Sequence, residues 1–136
     1  MLKIKNSKKG AAALISVLII SAAALIIAFS SSMLGLGELD LGYTSQKSNE
    51  ALSLADGCME EILRRIKLDT NYGVGAGEIS LTLGNGSCKI SIIDLGNNQR
   101  QITISSNIGK YNKKIASQIL LTGNVITINF WEELDT

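Results

Sequence analysis

Apolar positions fall into three regimes along the chain. From Ala11 to Phe29 the run is continuous, with Ser16 and Ser21 as its only polar side chains. From Leu52 onward Leu52, Ala55, Met59, Ile62 and Ile66 recur at steps of three and four, the stripe of an amphipathic helix, and Leu39 and Tyr43 extend it backwards. Beyond Asp69 the period drops to two. Ile79, Leu81 and Leu83 alternate with polar residues, as do Cys88, Ile90 and Ile92, then Ile102 and Ile104, then Ile115, Ile119 and Leu121, and last Ile126, Ile128 and Phe130. Turns fall between them at Gly84-Asn85-Gly86, Gly96-Asn97-Asn98 and Gly123-Asn124. The pattern predicts an α+β chain: one long N-terminal helix, and four or five short antiparallel strands in a meander with one apolar face. The C-terminal half of the helix is the cover available for that face.

The 19 residues from Ala11 to Phe29 span about 28 Å as a helix, close to the hydrocarbon thickness of a bilayer. The chain contains no proline, so the helix is expected to run on to about Lys67, roughly 85 Å in all. Its weak point is Ser30 to Gly42, where three serines precede Gly35, Gly37 and Gly42. Each glycine costs about 1 kcal/mol relative to alanine, and the segment is expected to bend or melt there. On the polar face, Glu60 with Arg64 and Glu61 with Arg65 have the spacing of favourable pairs. The expected organisation is a basic leader at 1–10, a transmembrane helix at 11–37, an amphipathic helix at 38–70 and a β-rich head at 71–136.

Charge changes the picture at the N-terminus. The formal net charge is +1, yet Lys3, Lys5, Lys8 and Lys9 alone supply +4, leaving the rest acidic. Lysines before the apolar run, and acids only from Glu38 and Asp40, predict a cytoplasmic N-terminus and an exported head. Lys110, Lys113 and Lys114 around Tyr111 are the best basic cluster on the head, and one solvated loop is a poor nucleic-acid footprint. No histidine is present, and the carboxylates Glu78, Asp94, Glu132, Glu133 and Asp135 lack partners spaced for acid–base work, so neither an enzyme, a cofactor nor a metal site is expected. The glycines between Asn71 and Gly77 lack the strand before and helix after that make a phosphate cradle, and read as a loop. Cys58 and Cys88 lack the spacing of a zinc or thioredoxin-type motif. They are either two buried thiols or, in an exported head, a disulfide closing a loop of about 30 residues and contributing roughly 3 to 4 kcal/mol.

Lys8-Lys9-Gly10 followed by Ala11-Ala12-Ala13-Leu14-Ile15-Ser16-Val17-Leu18-Ile19-Ile20 resembles the start of a type IV pilin. The resemblance implies cleavage between Gly10 and Ala11 by a prepilin peptidase, with methylation of the new terminus. It implies assembly through the apolar helix with other pilin subunits, with Ala11, Ile15 and Ser16 at the assembly end, on an inner-membrane platform. The subunit would sit in the inner membrane before assembly, and in an extracellular filament or periplasmic pseudopilus afterwards. Most pilins carry glutamate at the fifth mature position, where this chain has Ile15. The departure resembles minor pilins and tip pseudopilins. Two other readings stay open: an exported binding module cut by signal peptidase near Ala28-Phe29-Ser30, and a membrane-anchored protein that does not polymerise.

Overall fold

The computed structural model describes residues 7–135. Lys3 and Lys5 of the basic leader lie outside them. Helix α1 spans Ser7–Leu68, and five strands come after it: β1 Glu78–Leu83, β2 Gly86–Gly96, β3 Gln99–Ile108, β4 Tyr111–Thr122 and β5 Val125–Leu134. The chain separates into two compact units between Tyr43 and Thr44.

In the first unit, α1 carries exposed apolar side chains along its length, including Leu14, Ile19, Ile27, Leu34 and Leu41. Contrary to the expected melting, Ser30 to Gly42 stays helical. Ser30 Oγ donates to the Ile26 carbonyl at 2.8 Å and Ser32 Oγ to that of Ala28 at 3.0 Å, so these serines bond within the helix rather than compete with it. Stopping the helix at the glycines would require nucleating a new one after Gly42. Leu39 and Tyr43, placed by periodicity on the core stripe, are exposed at 72% and 54%. Periodicity reports a shared face and is silent on where the cover ends.

The second unit is a mixed α+β head. Its sheet has the order β1-β2-β3-β4-β5, every neighbour antiparallel and consecutive in sequence. The strands are not uniformly short, since β2 to β5 run to 10–12 residues. Register puts Ile90, Ile104 and Ile115 in one row across the sheet and Ile92 beside Ile102 in the next. With Ile119 and Leu121 they form the inner face, and Ala55, Cys58, Met59, Ile62 and Ile66 of α1 complete the core. The buried stripe on α1 is wider than the five-residue pattern, because Ala51 and Cys58 are fully buried and Leu52 only half so. Small residues there bring the helix close to the sheet. Ser106 uses that closeness: buried opposite the helix, its Oγ donates to the Ala51 carbonyl at 2.6 Å.

Two turn geometries and two register shifts shape the chain here, the first shift in β2 between Asp94 and Gly96. Asn97 and Asn98 adopt φ of 52° and 61°, the left-handed pair of a two-residue hairpin turn, which asparagine tolerates. Gly73 adopts φ +74° in the loop after α1, where a Cβ would lie 2.6 Å from Ile92 Cδ1. In β5 the register shifts opposite Gln118 and Ile119, which pair with Phe130 and Ile128 and leave Asn129 as an extra residue. Phe130 therefore does not share a face with Ile126 and Ile128, as strict alternation predicts. Trp131, paired with the buried Ser117, takes that face instead, while remaining about half exposed like Phe130.

On the polar face of α1 one expected pair forms, Glu61 with Arg65, and the other does not. Arg64 turns to Glu61 rather than Glu60, with Nη2 at 2.8 Å, and Arg65 Nε reaches the same carboxylate at 2.8 Å. Hydrogen bonds from Arg64 and then Arg65 hold the Glu61 carboxyl at about 2, well below the ordinary carboxylate range. Arg65 Nη1 also donates to Tyr72 Oη at 2.7 Å, tying the end of the helix to the loop beyond it. The same alternation that buries Ile102 and Ile104 turns Arg100 inward, where Nη1 meets Asp94 Oδ1 at 2.7 Å.

Gly86 marks the tightest helix–sheet approach: a Cβ there would lie 2.3 Å from Leu54 Cδ2 and 2.9 Å from the backbone oxygen of Asn107. Gly57 is the opposite case, its added Cβ meeting only Leu83 Cδ1 at 3.9 Å. Gly86→Ala is expected to destabilise the head by about 1–3 kcal/mol, through overpacking against backbone that cannot yield. Gly57→Ala is expected to stabilise it by up to about 1 kcal/mol through helix propensity. Denaturant midpoints of both variants check the opposite signs.

Candidate functional site

The residues singled out by sequence fall into two places. Lys8, Lys9, Gly10 and Ala11 occupy the first turns of α1, all exposed. A Cβ on Gly10 would meet nothing within 4 Å, and its φ is not in the left-handed region. Glycine inside a helix costs about 1 kcal/mol relative to alanine, and packing within the chain gives no return for it.

Ile15 lies one turn beyond Ala11 and is 58% exposed, in the midst of the apolar surface. Ser16 Oγ donates to the Ala12 carbonyl at 2.9 Å and Ser21 Oγ to the Val17 carbonyl at 2.7 Å. These bonds matter in a bilayer, where an unsatisfied hydroxyl has no water to turn to. One helix of the described chain is long and apolar enough to cross a membrane, and none of its apolar window is buried within the protein. The first unit is thus compatible with a single-pass membrane anchor.

Cys58 and Cys88 form the second place. They are joined as a disulfide with a Cα–Cα distance of 6.6 Å, linking α1 to β2 at the centre of the core. Cys88 pairs across strands with Ser106, so the covalent link and the Ser106–Ala51 hydrogen bond clasp the same part of the helix. The chain's two thiols are both consumed.

The basic cluster is distributed rather than focused. Lys110 lies over the Tyr111 ring, 5.4 Å from its centre, Lys113 pairs with Glu133, and Lys114 flanks Ser105 on the outer face opposite Lys89. Among the described residues no cluster of three or more His, Cys, Asp or Glu could hold a metal ion.

Fold and site together define a class: an α+β head clasped by a disulfide, whose N-terminal helix continues into an exposed, membrane-compatible apolar segment. Compared with known protein families, curated proteins and solved structures, the chain matches none.

Replacing Cys58 and Cys88 together by alanine is expected to lower head stability by roughly 3 to 4 kcal/mol, because the unfolded chain regains the freedom of the closed loop. The check is equilibrium unfolding with and without reductant. Reductant should destabilise the parent protein and leave the double variant unchanged.

Proposed function

We propose that this chain is a structural subunit of a type IV pilus or related pseudopilus, assembling through its apolar N-terminal helix after removal of residues 1–10. The observation that carries the reading is one helix, Ser7–Leu68, doing two different jobs. Its C-terminal part completes the head core, and its N-terminal part presents apolar side chains that no described residue covers. A surface of that extent in water requires a cover, which a bilayer supplies before assembly and neighbouring helices supply afterwards. The lysines keep the leader cytoplasmic, where a prepilin peptidase would meet Gly10. Glycine at that position, without a packing role, is consistent with selection by a protease that admits no side chain.

Ile15 directs the proposal toward a minor or tip subunit. In pilins the glutamate at the equivalent position is thought to neutralise the terminal amine of a neighbour. A buried, unpaired ammonium costs several kcal/mol even after relaxation. A filament made only of this chain would repeat that cost at every interface. A copy at the tip has no subunit ahead of it whose amine must be met, so co-assembly with a glutamate-bearing major pilin avoids it.

Substituting Gly10 by a bulky residue should leave folding unchanged and produce a precursor about ten residues longer, seen by intact mass. An N-terminus at Ser31, or a retained leader in the parent protein, would instead establish an exported or membrane-anchored binding module. Counting copies per filament by mass spectrometry is expected to show this chain far below the main component. Equal abundance would contradict the minor-subunit assignment.

A further inference from the structure

The hairpin between β1 and β2 carries a motif that the proposed function leaves unused. Asn85-Gly86-Ser87 has the Asn-x-Ser/Thr pattern of an N-glycosylation acceptor, and no other asparagine of the chain has serine or threonine two residues on. Leu83 pairs with Gly86, so Gly84 and Asn85 form the two-residue turn. Gly84 takes φ +58° and Asn85 stays out of the left-handed region, the order of a type II′ turn. Asn85 therefore stands exposed at the tip of the hairpin, and its side-chain amide bonds to no described residue. Nδ2, the nitrogen to which a sugar is attached in such a site, is free.

Folding requirements account for part of the triplet only. Asparagine suits a turn, and Gly86 is demanded by packing, since a Cβ there would lie 2.3 Å from Leu54 Cδ2. No contact within the head demands Ser87. It is exposed, its hydroxyl bonds to no described residue, and strand alternation turns it to the face opposite buried Cys88. The hydroxyl is thus available as the second element of the acceptor pattern. One residue further on, the Cys58–Cys88 disulfide belongs to an oxidising compartment, the same side of the membrane on which an exported head meets sugar-transfer enzymes.

We propose that Asn85 is an N-glycosylation site, modified on the exported side of the membrane before the Cys58–Cys88 disulfide closes. In the transfer, Asn85 Nδ2 forms a bond to the anomeric carbon of a sugar carried on a lipid-linked diphosphate. The bond from that carbon to the diphosphate oxygen breaks, the lipid diphosphate leaves with the electron pair, and the amide proton passes to a base of the transferase. The order follows from what the folded head does to the triplet. Ser87 lies in register between Thr82 of β1 and Asn107 of β3, Gly86 is pressed against α1, and Cys88 is bonded to Cys58. A transferase that grips the backbone from Asn85 to Ser87 finds Gly86 and Ser87 held in the ladder once the head has closed. Before closure the segment is free. Afterwards the sugar projects from the hairpin tip and displaces no packed side chain. The proposal rests on export of the head and not on filament assembly.

The test uses the full chain purified from its native cells, with mass spectrometry of the segment that contains Asn85. A sugar mass on Asn85 is the expected result. Asn85→Gln and Ser87→Ala should each lower occupancy by about tenfold or more, and Ser87→Thr, which keeps the hydroxyl, should retain it. All three changes fall on exposed side chains, so each variant should fold with its disulfide intact. Molecules trapped by alkylation while both thiols are still free should already carry the sugar. The disulfide reports export independently of the sugar. An unmodified Asn85 in disulfide-bonded protein would overturn the site and leave the exported head standing, whereas an unmodified Asn85 with both thiols free would overturn both. Sugar retained in Asn85→Gln or Ser87→Ala would overturn the assignment, and sugar found only on disulfide-bonded molecules would overturn the order.

Discussion

A β-meander with one isoleucine face cannot remain open to water, and everything else in the head depends on how that face is closed. Ile90, Ile92, Ile102, Ile104, Ile115 and Ile119 come from β2, β3 and β4, and among the described residues the helix laid on them is α1 from Ala51 to Ile66. Each such side chain gains roughly 1.5–3 kcal/mol on leaving water, which is far more than helix propensity or surface ion pairs can offer. Close approach is needed to collect it. Ala51 and Ala55 on the helix and Gly86 on the sheet keep the gap narrow, Ser106 bridges it by hydrogen bond, and Cys58–Cys88 bridges it covalently. A head with little more than sixty residues of sheet and loop has a small core, so the crosslink and the single clasping helix carry a large share of its stability.

Much of this was legible in the alternation of residues. A period of two between Gly-Asn turns identifies the strands, and antiparallel order comes from turns too short for any crossover. A step of three and four identifies the helix that covers them. Details set by contacts outside that periodicity were not legible. A single extra residue at Asn129 reverses the faces of Phe130 and Trp131, and nothing in a simple alternating pattern announces a bulge. Leu39 and Tyr43 share the spacing of the stripe and yet are exposed. Arg64 had two acids within reach, and only the geometry chooses Glu61. Arg100 stood in phase with Ile102 and Ile104, so its burial could have been read from the same rule that placed them.

The first unit is compatible with an apolar solvent. Its hydroxyls bond back into the helix, its charges stop at Lys9 and resume at Glu38, and its glycines lie on surface that no part of the chain touches. These are the requirements of a helix in lipid or among other apolar helices, where association rests on packing rather than on escape from water. One continuous helix thus joins an exposed apolar segment to a segment stabilised by the sheet.

Hydrogen–deuterium exchange of the full chain in lipid bilayers tests that division directly. Amides from Ala12 to Leu34 should be protected in lipid, and those from Ala51 to Ile66 should exchange together with β2, β3 and β4, at the rate of global unfolding of the head. The segment between them should exchange faster than either. Fast exchange from Ala51 to Ile66 while the strands stay protected would contradict a core that depends on the helix.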